Sequence, residues 1–122
     1  MAAADQPESD QLVVARLAGA AQRHAPWREA TPEETAAAVA ELREIAGGRG
    51  DLLAEAAGLL TGFYRGTAED RKARTAACYC RAAGAEGDLI PRWIAEGERR
   101  AAVARRPAPA GFLIARRGRS RR

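Results

Sequence analysis

The chain has 122 residues, 47% of them hydrophobic and 30% charged, with 20 Lys and Arg against 16 Asp and Glu for a formal net charge of +4. That length suits one domain with a modest core plus tails, and no apolar run approaches the roughly 20 residues that span a bilayer. The acidic opening MAAADQPESD lacks the basic-then-apolar order of a secretory signal, so a soluble, cytoplasmic protein is expected.

Alanine fills 31 positions and arginine 19, against one lysine, Lys72. The skew reads as the codon bias of a high-GC genome. Alanine loses no rotamer freedom on ordering and so favours helix most strongly. With few β-branched residues and no alternating apolar–polar run, the fold class expected is all-α. It would be a compact bundle of about five short helices, with a disordered lead (1–9), a helical domain (10–106) and a basic tail (107–122). A core of alanine and leucine buries little area per residue, which puts stability at the low end of the usual range. The net charge also hides an asymmetry. Residues 105–122 hold seven arginines and no acid, while the rest has 13 basic and 16 acidic residues, a net −3.

In chain order, Asp10 is placed to cap a first helix, QLVVARLAGAAQRH, with Val13, Val14, Leu17, Ala18 and Ala21 as its apolar stripe and Pro26 as its stop. His24, the sole histidine, reads as a surface residue of the last turn with no carboxylate or nucleophile beside it. Trp27 follows, expected to fold back as a lid on the core. Thr31-Pro32-Glu33-Glu34 is a strong helix start: Thr31 caps, Pro32 takes the first position, and Glu34 returns a bond to the cap. That helix carries Ala38, Val39, Leu42 and Ile45 and ends at Gly47-Gly48. Arg49-Gly50-Asp51 matches an integrin-type tripeptide, but Asp51 reads as the cap of the next helix.

Residues 51–66, DLLAEAAGLLTGFYRG, show the clearest periodicity. Leu52, Leu53, Ala56, Leu59, Leu60, Phe63 and Tyr64 form one broad face, with Gly66 in place to end the helix. Gly58 and Gly62 each cost roughly 1 kcal/mol relative to alanine, which favours close approach of another backbone, within the fold or across a homodimer. Thr67-Ala68-Glu69-Asp70 starts a fourth helix whose small residues, Ala73, Ala76, Ala77 and Cys80, would meet the leucine face. Cys78 and Cys80 point about 200° apart on a helix, so they neither bond nor share a metal, and both read as buried or half-buried thiols. Gly84 stops this helix. Asp88 would cap a fifth, LIPRWIAEGERRAAVARR, buried through Ile90, Trp93, Ile94 and Ala101, with Pro91 tolerated in its first turn. Pro107 and Pro109 end regular structure.

The stretch from Ala77 to Gly97 resembles the helix-turn-helix of excisionase-like and MerR-like DNA-binding proteins. Cys80, Gly84, Ile90 and Trp93 stand at its packing and turn positions, and Trp93-Ile94-Ala95-Glu96-Gly97 at the end of its recognition helix. The resemblance implies DNA contact from the turn and first recognition turn, where this chain carries Glu86, Gly87, Asp88, Pro91 and Arg92. Overall, the chain is similar to small Ala/Arg-rich helical proteins of actinobacteria, a resemblance that brings no catalytic residues.

Two functions stay open. One is a small non-enzymatic interaction or accessory protein, holding a protein partner by helix faces or tail. The other is a nucleic-acid-associated regulator using residues 77–97 and the tail, whose arginines would release counterions and give salt-sensitive, non-specific affinity. The residues that would bind partner or nucleic acid are Arg92, Arg99, Arg100, Arg105, Arg106, Phe112, Leu113, Ile114, Arg116, Arg117, Arg119, Arg121 and Arg122. The Phe112-Leu113-Ile114 patch is expected to dock, back onto the helices or into a partner groove. No cofactor, metal or membrane is expected. The glycines at 47, 48 and 50 lack the lysine and preceding strand of a phosphate loop, and Ser9 and Ser120 lie in tails.

Overall fold

A computed structural model describes residues 9–106, which form five helices and no strand. They are α1 (Asp10–His24), α2 (Pro32–Ala46), α3 (Gly50–Tyr64), α4 (Asp70–Ala83) and α5 (Ile90–Ala104), with a 3-10 turn at Gly87–Leu89. The lead and the basic tail lie outside the described residues, apart from Ser9.

The start of α2 follows its sequence signals. Thr31 Oγ1 accepts from the Glu34 amide at 3.1 Å, Glu34 Oε1 accepts from the Thr31 amide at 2.9 Å, and Pro32 needs no partner. Gly47 closes the helix at φ 58°, where a side chain would clash. Gly66 and Gly84 also have positive φ just beyond α3 and α4.

The other four starts differ from expectation. Ser9, not Asp10, caps α1, its hydroxyl accepting from the Leu12 amide at 3.2 Å. Asp51 caps nothing: α3 begins one residue earlier, and Arg49 binds Asp51 and Asp10 together, at 2.9 and 3.1 Å. The guanidinium fork gives both carboxylates charge-assisted hydrogen bonds. Asp88 lies inside the 3-10 turn, and α5 starts with no side-chain cap. The turn is instead anchored by its approach, where the Glu86 amide donates to Gly50 O at 3.0 Å. Before α4, Thr67 makes a local turn, accepting from the Glu69 amide at 3.2 Å and donating to Tyr64 O at 2.7 Å, in place of a helix cap.

Short connections reverse the chain after each helix. α1, α3 and α5 run in one direction and α2 and α4 in the other. α3 is the axis: Leu52, Leu53, Ala54, Ala56, Ala57, Gly58, Leu60 and Gly62 are all buried. The small face of α4 packs on it as expected, with Ala73, Ala76, Ala77 and Cys80 buried. The most extensive contact of α3 is nevertheless with α5, and its glycines explain why. A Cβ at Gly58 or Gly62 would sit under 3.0 Å from the α5 backbone, and one at Gly97 would lie 2.6 Å from Leu59 O. The close approach is thus within the fold, and Gly97 belongs to the buried stripe of α5, where Trp93 and Ile94 are only half-buried.

Two further expectations fail. Trp27 is no lid: it is 63% exposed, standing beside the Lys72 ammonium at 5.7 Å. Cys78 is exposed and only Cys80 is buried, burial pushing that thiol up to about 12. Among the described residues no helix is long and apolar enough to cross a membrane.

Candidate functional site

The arginines singled out on α5 divide by their surroundings. Arg92, at the start of the helix, is exposed and lies over the Trp93 ring, 5.2 Å from its centroid. Arg99 and Arg100 converge on Glu96, at 2.7 and 2.8 Å. Arg99, then Arg100, by hydrogen bonding, holds that carboxyl down at about 2. Arg105 turns back to α3, donating to Phe63 O at 3.1 Å and covering the Phe63 ring at 5.0 Å. Arg106 is exposed at the end of the described chain. Phe112, Leu113, Ile114, Arg116, Arg117, Arg119, Arg121 and Arg122 lie outside the described residues.

In the 77–97 unit Cys80 and Ile90 are buried and Gly84 makes the turn with φ 119°. Both helices lean on α3 and barely touch one another.

An apolar cleft of about 300 Å³ runs between α1 and α5 over the second half of α3. Leu59, Leu60, Phe63 and Tyr64 floor it, Ala18 and Gln22 wall it from α1, and Gly97 and Arg100 wall it from α5. Phe63 and Tyr64 meet edge to face with ring centroids 5.0 Å apart. Leu59, Phe63 and Tyr64 are half-buried, although three large apolar side chains in a row of turns would ordinarily be covered. The periodicity of residues 51–66 marked this face as apolar but not that part of it stays open. At Gly97 the wall is α5 backbone itself, so close to Leu59 that a Cβ would lie 2.6 Å from Leu59 O.

Trp27, expected as a lid on the core, instead forms a second surface. Lys72 of α4 donates to Gln22 O and Ala25 O, binding carbonyls at the end of α1. Its ammonium lies 5.7 Å from the Trp27 ring centroid, a cation–π distance. The next residue, Arg28, grips Glu34 through Nη1 and Nη2, at 2.9 and 2.6 Å. The loop is pinned at both ends, and the indole stands out from it.

His24 is better partnered than its sequence position suggested. Its Nε2 lies 2.7 Å from Glu41 Oε1, and Arg23 holds the other oxygen at 2.6 Å. His24 and Arg23 both lower the Glu41 carboxyl. The carboxylate comes from α2, 17 residues away, and only the antiparallel pairing of α1 and α2 brings it there. The group ties two helices together. Among the described residues no cluster of three His, Cys, Asp or Glu is arranged to hold a metal ion. Comparison with protein-family models, curated proteins and solved structures finds no match to this chain.

Proposed function

We propose that this chain is a small non-enzymatic interaction protein of the cytoplasm, holding a protein partner through the surface built around Trp27. The observation that carries it is an indole 63% exposed yet held in place by Lys72 and the Arg28–Glu34 pair. Tryptophan offers large contact area for few rotatable bonds, and such anchors dominate interface energetics. Pinning the loop beforehand reduces the ordering cost of binding. The reading as a nucleic-acid regulator has less support, since Arg99 and Arg100 are occupied by Glu96 and Arg105 by Phe63.

The test uses immobilised wild type and Trp27→Ala, nuclease-treated, exposed to lysate of the source organism. The expected result is a protein retained by the wild type and released by the variant, with both unfolding at the same temperature. An identical retained set for both would overturn the reading. Sequence-selective DNA binding by both in a parallel titration would replace it with the regulator.

A further inference from the structure

Lys72 joins the Trp27 loop to α4, and the outward face of that helix is basic along its length. Arg71, Arg74, Cys78, Arg81 and Ala82 are exposed there, at the i, i+3, i+7, i+10 and i+11 spacing of one helical face. Asp70, the only acid of α4, is taken by Arg74 at 3.2 Å. Arg71 and Arg81 have no ion pair among the described residues. Arg43 of α2 comes to the Arg81 end, donating to Ala82 O at 3.3 Å. Cations thus stand at both ends of a face about 15 Å long from Arg71 to Arg81. Trp27 stands toward the Arg71 end, its ring centroid 5.7 Å from the Lys72 ammonium.

The fold supplies no counter-charge to this row. The neighbouring α2 carries four glutamates against Arg43, but Glu34 is held by Arg28 and Glu41 by Arg23 and His24. Among the described residues no carboxylate of α2 pairs with α4. The row is also short, because exposed acids bracket it: Glu69 precedes it, and Glu86 and Asp88 follow it. A long polyanion such as a nucleic acid would run its phosphates past the cations and onto those carboxylates. A short acidic segment of a protein ends where the cations end.

Building on Trp27 as the anchor of a protein interface, we propose that the partner lays a short acidic segment along α4. Its carboxylates face Arg71 and Arg81, and an apolar side chain covers the Trp27 indole. The indole supplies the buried area, while the cations steer the segment and fix its direction.

The test is NMR on the full chain, titrated with a synthetic peptide of glutamates flanking paired leucines and with its glutamine counterpart. The C-terminal arginines attract any acidic peptide, so the readout is the Trp27 indole and the Arg71 and Arg81 amides rather than binding alone. These signals are expected to shift with the glutamate peptide, to move far less with the glutamine one, and to return in high salt. Arg71→Gln and Arg81→Gln together should weaken the effect about fivefold, as for two exposed ion pairs, at unchanged unfolding temperature. Equal shifts from the two peptides would overturn the proposal while leaving Trp27 an apolar anchor. Signals of α4 and Trp27 that stay in place would overturn it too. Shifts on α4 that persist in full in Trp27→Ala would overturn it by removing Trp27 from the interface. Larger shifts from a single-stranded oligonucleotide of the same charge would overturn the choice of a protein and assign the face to nucleic acid.

Discussion

Along α3 and α5 the two backbones touch, whereas α1 and α2 are joined through side chains. The first pair meets at Gly58, Gly62 and Gly97, with no room for a Cβ at any of them. The second pair buries Leu17, Ala20 and Ala21 with Ala38 and Leu42, and its rim is tied by Arg23 and His24 on Glu41. A contact through side chains can lose an atom and relax. A contact through backbone has nothing to give, because both helices would have to move as rigid bodies. The difference predicts where the fold is brittle and where it is forgiving.

The largest effect is expected at Gly62. Its missing Cβ would fall against Ile94 O and close to the Glu98 amide. Gly62→Ala should cost about 3 kcal/mol, even after the gain in helix propensity, because overpacking against backbone cannot be relieved by a rotamer change. Gly62→Val should abolish the cooperative unfolding transition seen by circular dichroism. Near-wild-type stability for Gly62→Ala would show that α3 and α5 slide apart cheaply.

The α1–α2 pair should answer by degrees. Leu42 is fully buried, and Leu42→Ala is expected to cost about 3 kcal/mol through lost burial and a residual cavity, with the fold intact by NMR. Gly19 supplies the opposite control. It lies within α1 with nothing inside 4 Å of a Cβ built on it. Gly19→Ala should therefore stabilise by about 1 kcal/mol in denaturant titration, the reverse of the same substitution at Gly62. Of comparable size, Thr31→Ala should cost about 1 kcal/mol by leaving the Glu34 amide unpaired.

Features confined to a few consecutive residues were legible in the sequence. The Thr31–Glu34 box, the Gly47 stop and the apolar stripe of α3 depend on neighbours within one or two helical turns, and each is present. What failed depended on residues far apart. Asp10 and Asp51 are competent caps in isolation, but Arg49, packed where α1 and α3 begin, claims both. Glu41 reaches His24 only because α1 and α2 pair. Trp27 was expected as a lid on the core, yet it stands 63% exposed in a loop held by Lys72 of α4, a residue 45 positions away. The glycines signalled a close approach correctly, but choosing α5 as the neighbour required Gly97, an unremarkable residue until its register against Leu59 is known. The candidate site was legible only as charge. The α5 arginines were visible as charge but not their engagement by Glu96 and Phe63, and the open cleft and the exposed indole arise from packing.

The smallest effect is one of pH, and it separates the two helix pairs in a different way. The α3–α5 glycine contact is made by backbone, but the start of α2 depends on a titratable side chain. Arg28, through its hydrogen bonds, and then the Thr31 amide hold the Glu34 carboxyl at about 2, below its ordinary 4.5. A carboxyl lowered in the folded state stabilises fully above its unfolded value and loses that contribution as pH falls through the folded one. The stabilisation from Glu34 should thus be complete above pH 4.5 and fade toward about 2. It should be small, since the pair is exposed and screened by solvent. Glu34→Gln removes the charge at every pH, so the gap in unfolding temperature between wild type and variant should be widest above 4.5 and close on acidification, more so in low salt. A gap that stayed constant across that window would mean that the shape of the capping box, rather than its charge, fixes the start of α2.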